Sequence, residues 1–306
     1  MERTKTRKKS GLALKKAAVP YLLLLPALLF IFIFMFYPIL NTVLLSMQHN
    51  VLVDAKNTRF IGLDHFKTLL FQDDIFRKAF GNSLKWVIGN VSLQTVLGMA
   101  LALLLNQKFK GRGLYRSLAF SPWAVSGIIV SLMWSFMYSE SVGVFNDLML
   151  RAGLVETRIS WFSDGMRAML AMIIATTWRG IPFFAISFLS ALQSISEDMY
   201  ESARVDGAGA VKRFFYITLP MIKDTVVLTV LLRTIWTLNI VDIIYSTTGG
   251  GPANTTLTVP VYIMNTFMSS LDFGYTSAMA VIMAVVMILF ALVFIKITRY
   301  GKESLY

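Results

Sequence analysis

Three ionisable residues stand inside long apolar runs: Arg179, within Trp178-Arg179-Gly180-Ile181-Pro182, Arg233 and Asp242. A charge held in lipid is costly, so such residues line a water-filled path, pair with one another or meet backbone carbonyls. Trp236, Asn239 and Tyr245 lie close to Asp242 in sequence. On a continuous helix Trp236, Asn239 and Ile243 share one face at i, i+3 and i+7, and Asp242 and Tyr245 continue from Asn239. Aromatic rings beside an amide and a carboxylate suit a polyhydroxy solute. Hydroxyls take the hydrogen bonds, and the C–H face of a sugar ring packs on Trp or Tyr. The competing reading is structural, with the same groups joining helices or marking the interface belt. Arg179 has two candidate partners, Asp242 or an acid on another subunit. Gly180 and Pro182 would loosen its helix and free carbonyls for it. Gln94, Trp134 and Tyr138 are weaker candidates for the same path.

Other chemistries lack their residues. There are no cysteines, which removes disulfides, thiolate metal sites and cysteine nucleophiles. The two histidines, His49 and His65, fall in one expected loop without a helical-spacing partner, so no metal is expected. No G-x-x-x-x-G-K-[ST], H-E-x-x-H or G-x-S-x-G occurs, and Gly111-Arg112-Gly113 and Gly207-Ala208-Gly209 lack the third glycine of a dinucleotide loop. The chain therefore carries no visible means of hydrolysing a nucleotide, and no enzyme is expected.

The polar residues must be positioned by a membrane fold. Of 306 residues 56% are hydrophobic and the mean hydropathy is +0.64, well above the average of soluble domains. A span needs about 20 apolar residues. Six such runs are expected at about 19–46, 85–106, 117–138, 166–192, 222–246 and 273–296. The first is too long for the apolar core of a cleaved leader, and Pro26 and Pro38 are expected to bend it. Short surface helices are expected within the polar loops 50–84 and 139–165, and Thr247–Asn254, TTGGGPAN, reads as a flexible turn-rich loop. A basic arm, 1–18, precedes the membrane domain at 19–299, and a tail follows at 300–306.

Six spans place both termini on one side, and charge says which. Of 29 Lys and Arg, 18 fall in the arm, the loop 107–116, the stretch 197–223 and the end of the chain from Lys296, against eight on the opposite side. The positive-inside rule makes the first side cytoplasmic. The net charge of +12 then reads as topology and attraction to anionic lipid, not as nucleic-acid binding.

On that side lies the most polar, small-residue-rich segment of the second half, Glu197–Pro220, EDMYESARVDGAGAVKRFFYITLP. Acids first and a base later suit a short helix over Glu197–Arg204. Asp206-Gly207 breaks it, because Gly tolerates positive φ, and a second short helix is expected to stop near Pro220. Glu201, Ala203, Gly207, Ile217, Leu219 and Pro220 stand in the register of the EAA motif, E-A-A, three residues, G, nine residues, I-x-L-P. The chain thereby resembles the permease subunits of ABC importers. Ser202 departs from the usual Ala but is nearly as small. Tyr21–Pro26 with Tyr37-Pro38, Phe60–Phe66, Gly249–Pro252 and Asp272–Ala278 extend the likeness over nearly the whole chain, to the carbohydrate-uptake, maltose-type group.

The resemblance implies an all-α, multi-pass protein of a bacterial or archaeal cell membrane. It implies that the loop 193–221, through Glu201, Ser202, Ala203, Asp206, Gly207, Ala208, Leu219 and Pro220, couples to a separate ATPase. The partners it implies are a second, different permease, an ATPase dimer that binds ATP and Mg, an external solute-binding protein and a polar substrate of carbohydrate type. No cofactor is expected on this chain itself. Two alternatives remain: a permease for another polar solute, such as a glycerol phosphodiester or polyol, and a passive channel or membrane enzyme.

Overall fold

The computed structural model describes Tyr21 and residues 23–300. The expected basic arm and the tail beyond Tyr300 lie outside the described residues. The fold is helical throughout, with one two-stranded ribbon. Two compact units divide the chain, one of Met1–Phe66 and Ser270–Val281, the other of Lys67–Ser269 and Ile282–Tyr306.

In the first unit, α1 (Leu23–Ser46) is long and apolar enough to cross a membrane. It carries a π-helical turn at Phe32–Phe36. Its apolar side chains are exposed from Leu23 to Leu40, the pattern of a helix whose surroundings are not its own chain. The strands β1 (Gln48–His49) and β2 (Arg59–Phe60) pair antiparallel. The chain from Ser270 is tied to this ribbon by Leu52 N–H to Leu271 O (3.0 Å) and Phe273 N–H to Asn50 O (2.9 Å). His65 Nε2 lies 3.1 Å from Gln48 O and its ring meets Tyr275 edge-on. Both are packing roles.

The second unit is built on two long helices. After α2 (Asp64–Phe71) comes α3 (Asp74–Asn106), capped by Asp73, whose Oδ1 accepts from Phe76 N–H at 2.8 Å. It starts eleven residues before the expected second span, because Asp73-Asp74 supplies both a cap and first-turn charge for the helix dipole. Its main partner is α7 (Gly165–Leu192). The buried face of α3 is partly polar, with Asn82, Ser83, Asn90 and Gln94 among its buried residues, while Ile88 and Val96 are exposed. That inversion of the soluble pattern is expected where the solvent is lipid and helices associate through close packing and hydrogen bonds. A Cβ at Gly98 would overlap Phe184, and one at Gly180 would overlap Gln94, so both glycines set the distance between the two helices.

Two expected spans are broken. The third is divided into α4 (Arg112–Phe120), a 3-10 turn Ser121–Ala124 and α5 (Gly127–Met137), with a bend of 96°. Pro122 lacks an N–H, and Ser126 recaps the chain through its hydroxyl to Ile129 N–H. A short helix, α6 (Val144–Arg151), follows. The stretch between α7 and the fifth run holds α8 (Glu197–Val205) and α9 (Ala210–Met221), which meets α10 (Lys223–Leu238) at 69°. α9 ends at Met221, near Pro220 as expected. A π turn at Phe214–Thr218 precedes Pro220, Leu219 N–H reaching back to Phe214 O, and the bend falls at Ile222 (φ −101°, ψ 8°). The fifth run breaks again at 239–241 before α11 (Asp242–Thr247). Among the described residues four helices are long and apolar enough to cross a membrane, or up to six if each bent pair is one span.

The loop after α11 is turn-rich as expected but clasped by α3. Lys78 Nζ donates to Ala253 O (2.6 Å). Asn82 Nδ2 donates to Asn254 O (2.9 Å) and Leu257 O (3.0 Å), and Ser83 Oγ accepts from Val259 N–H. A helix with no counterpart among the expected elements, α12 (Val259–Ser270), follows, and α13 (Phe273–Thr298) ends the described helices. Asn82→Leu removes both amide bonds from a buried site. It is expected to lower stability by about 1–3 kcal/mol, read as a lower melting temperature and as protease nicking between residues 248 and 258.

Candidate functional site

Two sites emerge in the second unit. The first is a polar cluster between α3, α5, α7, α10 and α11. Arg179 and Asp242, 63 residues apart in sequence, are brought together, with Nη1 3.7 Å from Oδ2. Arg179 Nε also donates to Val125 O at 3.0 Å. That carbonyl comes from the bend before α5. α7 runs unbroken through Gly180 and Pro182, and although Pro182 has no N–H to give the Trp178 carbonyl, Arg179 takes its acceptor from another element and not from its own helix. A Cβ at Gly127 would overlap the Asp242 carboxylate, so Asp242 reaches the start of α5 only because that residue is glycine. There the helix dipole favours a negative group.

Arg233 is 8% exposed. Its Nε donates to Gln94 Oε1 at 2.7 Å, and Gln94 Nε2 donates to Thr176 O at 3.2 Å. Gln94, a weaker candidate by sequence, is therefore the junction of α3, α7 and α10. Two guanidiniums and one carboxylate occupy the cluster, an excess of positive charge. Beside it Phe183, one turn along α7 from Arg179, meets Trp236 at 5.0 Å and Trp123 at 6.5 Å between ring centroids. Trp236 is 47% exposed. The result is an open aromatic surface next to fixed hydrogen-bond donors.

The expected single face from Trp236 to Tyr245 does not exist, because the helix breaks between them. Asn239 turns back to Ile235 O and Met287 Sδ, and Tyr245 is displaced onto α11. Trp178 points elsewhere. Its ring lies 6.0 Å from Trp134, in a packed aromatic group with Tyr138, Phe145 and Trp161. Phe183 and Val125 were not anticipated. Phe183 is readable at i+4 from Arg179, whereas a backbone carbonyl on another element has no sequence signal.

The second site is the exposed helix–turn–helix of α8 and α9. Glu197 and Asp198 open α8 and Arg204 closes it. The turn is a Schellman closure: Ala208 N–H bonds to Ala203 O (2.9 Å) and Gly207 N–H to Arg204 O (3.1 Å). Gly207 sits at φ +76°. Tyr200 OH, 2.9 Å from Thr218 Oγ1, folds α9 against α8. Glu201, Ser202, Asp206, Gly207 and Pro220 are exposed, while Ala203, Ala208 and Leu219 are partly covered.

A tether joins α8 to the basic loop after α3: Lys108 Nζ lies 2.5 Å from Glu197 Oε1. The hydrogen bond from the Lys108 ammonium, then its charge, hold the Glu197 carboxyl below the usual range. A lowered folded pKa means the tether is whole above the ordinary glutamate value and is lost as pH falls through the folded one. Acidification through that window is expected to raise hydrogen exchange in residues 107–112. Glu197→Gln should give fast exchange at every pH.

The family model described as "Binding-protein-dependent transport system inner membrane component" matches residues 94–300. A trehalose/maltose transport system permease protein of Thermococcus litoralis is 33% identical over 294 residues, 96% of this chain and 98% of that protein. A lactose transport system permease protein of Rhizobium radiobacter is 33% identical over 88% of this chain and 91% of its own length. Among solved structures, a chain from a bacterial ABC transporter that imports the acidic polysaccharide alginate matches with a TM-score of 0.82 at 25% identity. It covers 96% of this chain and 100% of that one.

Proposed function

Because the chain belongs to the family of binding-protein-dependent transport system inner membrane components, we propose that it is the permease subunit of an ATP-driven importer for a sugar or oligosaccharide. It works in the cell membrane as a multi-pass protein and does no chemistry on its cargo. The observation that carries this reading is the pairing, in one chain, of an exposed, Schellman-closed helix–turn–helix with an aromatic and guanidinium cluster between the long helices. The first is a surface on which a soluble partner can push. The second has donors for hydroxyls and a ring face for sugar C–H groups. The substrates of the trehalose/maltose and lactose relatives support a carbohydrate.

In this reading the termini and the α8–α9 turn face the cytoplasm, as the distribution of Lys and Arg requires. A second permease completes the path, an external binding protein delivers the solute, and an ATPase dimer holds ATP and Mg. Glu201, Ser202, Ala203, Asp206, Gly207, Ala208, Leu219 and Pro220 form the coupling surface. ATPase closure moves it, and the helices expose the polar cluster to either side in turn. For that the two states must differ in free energy of contact with the ATPase. Arg179, Arg233, Trp236 and Asp242 line the path, while Trp178, Asn239 and Tyr245 support its walls.

A second reading, an anionic polar solute such as a glycerol phosphodiester, is favoured by the excess of positive charge in the cluster, where Arg179 is paired with Asp242 and Arg233 only with the neutral Gln94. One experiment separates these. The complex is purified through a tag at Tyr306, and ATP hydrolysis is measured with the cognate binding protein loaded with neutral or anionic ligands. Stimulation by a neutral saccharide supports the first reading, and stimulation by anionic ligands alone supports the second. Recovery of this chain without any ATPase overturns both.

A further inference from the structure

We propose that the groove between segment 107–120 and α8 binds the headgroup of an anionic phospholipid. The proposal rests on the orientation above, which sets this groove at the inner leaflet. Residues 75–139 contain no Asp or Glu, while Lys108, Lys110, Arg112 and Arg116 follow one another closely. The groove, of about 980 Å³, is lined by Lys108, Arg112, Arg116 and Arg204 against only Glu197 and Glu201. Both acids are already engaged, Glu197 by Lys108 and Glu201 by Arg204. Arg112 and Arg116 stand one turn apart on α4, so their side chains share a face. Arg116 gives one Nη2 bond to Leu105 O (3.1 Å), and its buried Nε has no partner among the described residues. The groove therefore holds cations that the described residues do not neutralise.

The other face of α4 decides which anion fits. Leu114 is 66% and Leu118 62% exposed, and the exposed Tyr115 meets Phe109 edge-on at 5.5 Å. Cations on one side, open Leu on the opposite side and Tyr at the flank mark a helix lying in the bilayer interface, its apolar side among acyl chains. Aromatic side chains at such a helix sit at headgroup depth. Arg112 and Arg116 then lie level with lipid phosphates, and each cation near an anionic leaflet adds roughly fivefold in affinity. Through Lys108 the same groove touches Glu197, so the lipid lies beside the coupling surface.

The test uses the whole complex in nanodiscs of equal parts phosphatidylcholine and phosphatidylglycerol. Lipids that remain bound are counted by native mass spectrometry. Lys110→Gln with Arg112→Gln is expected to lower the preference for phosphatidylglycerol about tenfold or more, with Arg116 left in place for its bond to Leu105. Lys56→Gln with Arg59→Gln, on the opposite side, should leave it unchanged. Equal phosphatidylglycerol retention in Lys110→Gln/Arg112→Gln and the parent overturns the proposal. Because the chain has no cysteine, Lys110→Cys can be labelled selectively with an impermeant maleimide. Labelling from the inner side only keeps the orientation whatever the lipid result. Labelling from the outer side overturns the orientation, and the inner-leaflet site with it.

Discussion

Gly207→Pro is expected to abolish the stimulation of ATP hydrolysis by a loaded binding protein, while the chain still inserts in the membrane and keeps its helices. Gly207 stands at φ +76°, and proline is locked near −65°. The substitution also deletes the N–H that bonds to Arg204 O, and it disfavours the near-helical backbone of the preceding Asp206. The Schellman closure is lost and α8 frays from its C-terminal end, so Glu201 and Ser202 are no longer held on one rigid face. No heavy atom lies within 4 Å of where a Cβ at Gly207 would be. The defect is therefore one of backbone conformation and not of crowding. Gly207→Ala separates the two: it costs about 1–2 kcal/mol for the left-handed residue and should reduce coupling partially. For Gly207→Pro we expect stimulated hydrolysis to fall at least about tenfold, which is ~1.4 kcal/mol of coupling, with basal hydrolysis retained. Glu201→Lys should act in the same direction by reversing the exposed charge. Substrate uptake at the parent rate in Gly207→Pro would remove the coupling assignment.

Gly180→Val is expected to produce the largest loss of folded protein. A Cβ at this position overlaps the Gln94 amide, and Gln94 has nowhere to go. It is fully buried and bonded at once to Arg233 Nε and Thr176 O. Valine must either force α3 and α7 apart, at about 1–3 kcal/mol for overpacking, or expel the amide. Expulsion breaks a bond to a charged group, at about 1.5–3 kcal/mol, and leaves Arg233 buried without its acceptor. Either is a large part of a stability on the order of 5–15 kcal/mol. Expression with a sharp elution profile should fall severalfold, and the melting temperature of any protein recovered should drop. Gln94→Ala in the Gly180→Ala background makes room for the new methyl. The pair should lose less stability than the sum of the two single substitutions, a coupling read in a double-mutant cycle. Identical melting of Gly180→Val and the parent would show that Gln94 does not fill the space the glycine leaves.

Whatever depends on local chemistry along the chain was legible in its residues. Long charge-free runs must be helices, because in lipid every backbone group needs an internal partner, and α1, α7 and α13 lie close to where they were expected. The register Glu201–Gly207 placed α8 and its turn within a residue, because a short amphipathic helix and a positive-φ glycine are read from neighbours. Arg179 and Asp242 were legible as a possible pair, since two opposite charges in apolar runs have few other partners.

Only the tertiary structure decided what depends on contact between distant segments. Breaks at 122–126, at Ile222 and at 239–241 dissolved two straight spans. Nothing in apolarity distinguishes a bent helix from a straight one, and the groups freed at the bends find partners elsewhere: Val125 O takes Arg179, and the Asn239 amide takes Met287. Those breaks put Asp242 beside Gly127 and Arg179 while sending Tyr245 away. The role of Gln94 followed in the same way. A glutamine on an apolar helix has no preferred partner until Gly180 lets α7 approach and Arg233 arrives from α10. The residue types and their order along each run were therefore local properties. Which polar groups meet was set by where helices bend and how closely glycine lets them pack.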